Sequence, residues 1–264
     1  MTRAAPLQRR AGVAPRVALA LAWLALPLVP LVLWAAADRW PFPALLPTDW
    51  GLTGWRQAAG QGAPGALGRS VLLGLAVAAL ATPAGAMAGR ALALHRVPAR
   101  RLVEGLLLAP VAVPPVAVVM GLTTLTLRAG IPGTVALVCV LTVSALPYTV
   151  FVMRSAYTGY DVGFEEEART LGAGPRAVLL RVHLPLAAPA LATAAFLAFL
   201  VGWSDYVVTL VVGGGQLVTL PMLVGALSSA TGNDAVVAAV SLTAVVPPLL
   251  LLAAAALLAR RGAR

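Results

Sequence analysis

The sequence predicts an all-α membrane protein with six transmembrane helices, on three observations. The 264-residue chain is 60% hydrophobic and 11% charged, with a mean hydropathy of +0.92, whereas a soluble domain carries about a quarter charged residues. Six apolar runs are each long enough to cross ~30 Å of hydrocarbon, which takes roughly 20 helical residues. Between those runs the basic residues alternate in density from one connection to the next, as they do when loops fall on opposite sides of a bilayer.

A tail at 1–16, carrying Arg3, Arg9, Arg10 and Arg16, precedes the first run, Val17–Ala37. Its 21 residues exceed a signal-peptide core, and Asp38-Arg39-Trp40 does not read as a small-residue cleavage site, so it is expected to be a retained span. Residues 38–69 read as an outside loop rich in Pro, Gly and Trp. Trp40, Trp50 and Trp55 suit the headgroup level; a role in receiving a solute-carrying protein is the other reading, without a residue to support it. The second run, 70–88, is rich in Gly, Ala and Ser, which lets helices approach closely.

The third run, 102–127, contains Pro110, Pro114 and Pro115. Each removes a backbone donor, and such breaks survive in lipid only where neighbours or a cavity satisfy the freed groups. A pathway-lining or hinge helix and a kink that serves packing both fit. Glu104 opens this run beside Arg100 and Arg101, which predicts an interfacial ion pair. The fourth run, 134–153, holds Cys139, Ser144 and Pro147. The fifth, 190–212, holds Trp203, Ser204, Asp205 and Tyr206, and Asp205 is the one ionisable residue expected inside the membrane. Charges there are costly and face a cavity or the bundle interior. Asp205 is read either as a pathway or gating group or as a local cap held by Ser204 and Trp203. The pathway candidates are therefore Asp205, Tyr206, Trp203, Pro114 and Pro115. Residues 216–230 are apolar but too short to span and are interrupted by Pro221, which suggests a re-entrant or surface helix. The last run, 236–259, carries Pro247-Pro248 and ends at a basic tail, 260–264.

Placing the N-terminus inside puts fifteen Arg on that side (3, 9, 10, 16; 90, 96, 100, 101; 154, 169, 176, 181; 260, 261, 264) and four outside (39, 56, 69, 128). Arginine bias of this kind predicts both termini in the cytoplasm, together with the connection between the fourth and fifth runs.

That connection carries the most specific pattern in the chain, Phe164–Pro185, reading FEEEARTLGAGPRAVLLRVHLP. Glu165 and Arg169 stand at i and i+4 with the acid first, which supports a helix. Gly172 suits a left-handed stop and Pro175 the first turn of a second helix. The expected product is a hairpin: short helix, Gly-Ala-Gly-Pro turn, second helix. Glu166, Ala168 and Gly172, followed by Val182, Leu184 and Pro185, match the EAA signature of permeases of ABC importers, with Glu167 replacing the first Ala.

The chain thus resembles an inner-membrane permease subunit of a type I ABC importer, of the binding-protein-dependent transport permease family. The resemblance implies the MetI-like permease fold over about 66–257, with the first span outside the shared core and the hairpin 164–185 as a cytoplasmic coupling helix. It implies ATPase-coupling roles for Glu166, Glu167, Ala168, Arg169, Leu171, Gly172, Leu184 and Pro185. Its expected partners are a cytoplasmic ABC ATPase dimer, a second permease subunit, identical or sister, and an extracytoplasmic solute-binding protein. No cofactor is expected on this chain, ATP and Mg being used by the ATPase. Trp203–Val224 further resembles the polyamine, ferric iron and thiamine branch, which implies a cargo among such solutes.

Composition weighs against other classes. The chain has no Lys, and a P-loop requires one, so ATP-driven work falls to a partner. A net charge of +10 would suggest nucleic acid in a soluble chain, but here Arg follows the membrane, and no nucleic-acid partner is expected. The lone Cys139 allows no intrachain disulfide, and with only His95 and His183 no metal site is expected. An ion-coupled secondary transporter would need several midplane ionisable groups where this sequence offers Asp205. A membrane enzyme would need a catalytic constellation, and neither G-x-S-x-G nor H-E-x-x-H is present. The expectation is a transport subunit and not an enzyme.

Overall fold

The computed structural model describes residues 19, 22, 23, 25–113, 115–230 and 232–262, the side chains of 115–118 and 258–262 excepted. The tail at 1–16, most of the opening of the first run, and Pro114 lie outside the described residues. The described residues fall into two compact units, one drawn from the ranges 1–63 and 224–243 and the other from 64–223 and 244–264.

In the first unit, α1 (Leu28–Ala35) lies within the described part of the first predicted run. The expected loop after it is more ordered than an all-α reading allows. Strands β1 (Ala37–Arg39) and β2 (Asp49–Trp50) pair antiparallel, Ala37 opposite Trp50, and α2 (Thr53–Gly60) follows. The Asp38 carboxylate accepts the Thr53 amide at 2.9 Å and so closes the open end of α2. That bond holds the Asp38 carboxyl below its usual range. Trp34 and Trp40 pack with ring centroids 4.7 Å apart. Gly54 is needed for packing, because a Cβ there would lie 2.6 Å from the Ala235 carbonyl oxygen.

The second unit is built on long helices. Among the described residues, four are long and apolar enough to cross a membrane: α3 (Ala63–Leu94), α6 (Gly133–Thr158), α8 (Pro175–Ser204) and the Asp234–Leu257 part of α11 (Asp234–Gly262), which contributes to both units. Of these, α3, α6 and α11 extend beyond the predicted runs at both ends and α8 at its start, because hydropathy marks the apolar stretch and not the hydrogen-bonded helix around it. The third run is not one continuous helix. It divides into α4 (Arg100–Ala112) and α5 (Pro115–Arg128), with Val113 extended at φ −92° and ψ 130°, the conformation favoured before proline. The fifth run also differs from expectation: α8 ends at Ser204 and the chain restarts as α9 (Val207–Val211). Pro221 does not interrupt its helix but stands in the first turn of α10 (Leu220–Ser228), where proline is tolerated.

Helix α3 is the close-packed member. A Cβ on Gly74 would lie 2.7 Å from the Phe199 ring of α8. One on Gly89 would lie 2.7 Å from the Arg154 backbone nitrogen of α6, and one on Gly85 would overlap Thr149. The small residues predicted to admit close contact therefore serve α6 and α8 together. Met153, Tyr157, Ala187 and Ala194 form the buried core between α6 and α8. At the other end of α3, the fully buried Ser70 accepts the Leu220 amide at 2.8 Å and Arg69 Nε donates to the Val218 carbonyl at 2.7 Å, which anchors the start of α10.

Candidate functional site

The hairpin forms as its residues dictate. Helix α7 (Gly163–Thr170) carries Glu165 and Glu166 in its first turn and Arg169 in its last, each charge favourably placed on the helix dipole. Gly172 adopts φ +85°, its amide donating to the Arg169 carbonyl and the Ala173 amide to the Ala168 carbonyl, both at 3.0 Å. This is a complete Schellman stop, and the left-handed residue in it favours glycine. Gly174 is extended and Pro175 begins α8.

The α7 periodicity separates adjacent acids. Glu166 and Glu167 are exposed, as are Arg169, Leu171, Gly172, Leu184 and Pro185, with Ala168 half-buried. Leu171 is 81% exposed. Phe164, Glu167, Ala168 and Leu171 of the α7 side face Arg181, Val182, Pro185 and Leu186 of α8 across a cleft of about 370 Å³. Four of the eight residues predicted for ATPase coupling thus line one cleft, and the other four flank it on the same hairpin.

Glu165 turns inward and is 2% exposed. Its carboxylate accepts both ends of the Arg90 guanidinium at 2.9 Å each, the Tyr160 hydroxyl at 2.7 Å and Arg169 Nη2 at 3.0 Å. The buried His183 ring completes the cluster: Nδ1 lies 2.6 Å from Arg90 Nη1 and 3.0 Å from Glu165 Oε1, while Nε2 meets the Tyr157 hydroxyl at 3.0 Å. One ring nitrogen cannot serve both neighbours. With Nε2 protonated, Nδ1 accepts from Arg90; with Nδ1 protonated, it donates to Glu165. The Arg90 guanidinium also lies 5.8 and 5.9 Å from the Tyr157 and Tyr160 ring centroids. Hydrogen bonding from Arg90 draws the Glu165 carboxyl down to about 2, and burial followed by its bond to Glu165 pushes the Tyr160 hydroxyl up to about 12.

His183 lies in a π-helical turn, Leu179–His183, near the start of α8. Sequence reasoning found the Glu165–Arg169 pair but not Arg90, Tyr157, Tyr160 or His183. The i, i+3 tyrosines and a histidine one residue before Leu-Pro were the local signals available. Arg90 has none, since its partners lie 75 and 93 positions away.

The pathway candidates are more scattered. Trp203 is buried and stacks on Phe199 with centroids 5.5 Å apart, whereas Tyr206 is exposed. The expected cap on Asp205 by Ser204 and Trp203 is not found. The Ser204 hydroxyl donates to the Leu200 carbonyl, and Asp205 Oδ2 instead accepts the amide of the fully buried Thr209 at 2.7 Å and its hydroxyl at 3.0 Å. Asp205 thereby closes the first turn of α9. Pro115 opens α5, its side chain outside the described set. Near the break between α4 and α5 lies an apolar cavity of about 490 Å³, lined by residues that include Pro110, Val113, Val119, Cys139 and Val208. Glu104 pairs with Arg100 at 2.8 Å as predicted, and with Arg154 of α6 at 2.9 Å. No cluster of three or more His, Cys, Asp or Glu suited to a metal occurs among the described residues.

With the hairpin and long helices in place, the sequence profile of the binding-protein-dependent transport system inner membrane components matches residues 81–264, which include the whole hairpin. The chain belongs to that family. Among its relatives are the spermidine/putrescine transport system permease protein PotC of Haemophilus influenzae, 30% identical over 60% of this chain and 62% of that one. Another is the trehalose transport system permease protein SugB of Mycobacterium tuberculosis, 32% identical over 55% and 53%. The chain spans less than two thirds of the length of these curated relatives. A crystal structure of a bacterial ABC transporter involved in the import of the acidic polysaccharide alginate has the same fold, with a TM-score of 0.68 at 17% identity over 96% of this chain and 97% of that one. The inner membrane component is thus a multi-pass helical membrane protein whose relatives are transport permeases.

Proposed function

We propose that this chain is the permease subunit of an ABC importer. It forms half of a transmembrane pathway for a small solute delivered by an extracytoplasmic binding protein, and a separate cytoplasmic ATPase subunit supplies the energy. The observation that carries this reading is the cleft of α7 and α8, which offers Leu171 and Phe164 as exposed apolar anchors beside Glu166 and Glu167. Apolar anchors rimmed by charge are the surface of a protein contact. Family membership and the alginate importer's fold support it. In this reading a second permease subunit completes the pathway, ATP and Mg bind the partner, and both termini and the hairpin face the cytoplasm.

The relatives are named for the transport of spermidine and putrescine and of trehalose. Both are small and water-soluble, and that is the cargo class proposed. Polyamines are the first solutes to test, because residues 203–224 resemble that branch.

Co-purification in mild detergent of the chain with the ATPase of its own source cell tests the reading, wild type against Glu166→Arg. Retention by the wild type and loss in the variant is expected. A folded wild-type preparation that retains no ATPase would overturn the proposal.

A further inference from the structure

We infer that Arg90 is the positioning residue through which the hairpin moves α3, so that the stroke of a docked ATPase enters the bundle by a side-chain link as well as along the chain. The inference rests on the coupling role proposed for the hairpin and names the residue that transmits it.

Four routes lead out of α7, one of them the 3.0 Å contact of Glu165 with His183 of α8. Two are covalent, back to α6 through 159–162 and on to α8 through 171–174. The fourth is the guanidinium of Arg90, bonded to Glu165 at two points of 2.9 Å each. A two-point planar contact resists rotation as well as separation, which a single ammonium contact would not. Water has little access to the carboxylate, because the Glu165 side chain is 3% exposed, while the Arg90 side chain is 28% exposed. The carboxylate is also saturated: Tyr160 and Arg169 occupy its remaining acceptor positions, and His183 presses on the same oxygen as Arg90 Nη1. Helix α7 cannot turn without either breaking this set together or carrying Arg90 with it.

The routes differ in stiffness. Beyond Arg90, α3 is held at backbone distance to α6 through Gly89 and Gly85, so displacement of Arg90 moves a rigid pair. Along α8 the chain passes first through the π turn at Leu179–His183. Its wider hydrogen-bonding pattern interrupts the α ladder between the hairpin and the membrane part of the helix. His183 sits in that turn and contacts both Arg90 and Glu165, so the compliant joint and the rigid link meet at one residue. The covalent path is thus the softer one and the Arg90 path the stiffer.

The test uses the assembled chain and its ATPase in nanodiscs, with Cys139→Ser as background and spin labels at Gly68→Cys on α3 and Ser204→Cys on α8. Both sites are exposed, and Gly68 has open space around its Cα. Adding ATP with Mg is expected to shift the 68–204 distance distribution in the wild type. Arg90→Met should retain the ATPase and lose the shift, and Arg90→Lys should reduce its amplitude by half or more. A full shift in either variant would overturn the link, as would loss of ATPase binding in both, which would make Arg90 a folding residue. A wild-type chain that holds no ATPase would defeat the hairpin reading itself, and the link with it.

Discussion

Glu165 and Glu166 are neighbours with opposite surroundings. A helix turns about 100° per residue, so one acid meets Arg90, Tyr160 and His183 while the next meets solvent. Replacing Glu165 with Gln keeps the shape but leaves Arg90 without its counter-charge. The expected loss is about 3 kcal/mol, as for other broken buried pairs, read as a lower melting temperature in detergent; an unchanged melt would mean the cluster contributes nothing to stability. The pH dependence follows from the same group. Its folded pKa of about 2 lies below the ordinary value of 4.5, so its contribution is complete above the ordinary value and is lost as pH falls through about 2. Melts of wild type and Glu165→Gln taken down that range should converge at the acid end. Gly172 carries a second prediction. A Cβ there meets nothing within 4 Å, so Gly172→Val costs about 1–2 kcal/mol from backbone conformation alone. Gly172→Asn should cost clearly less, and equal melts for the two would argue that the turn relaxes out of its left-handed state.

Helix α3 shows how small residues set helix placement. Gly89→Val would drive atoms into the α6 backbone at Arg154, whereas Gly105 on α4 has no neighbour within 4 Å. The first substitution should lower the yield of folded protein and the melting temperature well below the same change at Gly105; equal effects would show that helix propensity, not packing, governs both sites. The third and fifth runs teach a complementary lesson. Val113, Pro114 and Pro115 are apolar, and so are most residues around Ser204 and Asp205, so hydropathy passes straight over both breaks. A transfer scale measures the solvent a side chain prefers, not the direction of its backbone. The prolines marked the first break; nothing local marked the end of α8.

The orientation expected from fifteen inside against four outside arginines belongs to the assembled topology and has a direct test. In a Cys139→Ser background, a membrane-impermeant thiol reagent added to intact cells should label Gly60→Cys and should reach Thr170→Cys only after the membrane is opened. The reverse pattern would invert the proposed topology and remove the hairpin from any cytoplasmic ATPase.

Membrane class and the existence of the hairpin were legible from the chain alone, because each rests on local physics: apolar run length, an i, i+4 ion pair, a glycine stop and a proline start; the family was legible only through the resemblance of Glu166 to Pro185 to a known signature. Tertiary structure decided what that hairpin is tied to. The bonds of Arg90 to Glu165 and His183 join residues 75 and 93 positions apart, and the glycines of α3 gain their meaning only from the helices opposite. Asp205 had a partner four residues on in Thr209, hidden because the sequence did not show that α8 stops between them. Pairings of this kind depend on which helix faces lie together, and that is settled by packing across the bundle, not by any stretch of sequence short enough to be read as a motif.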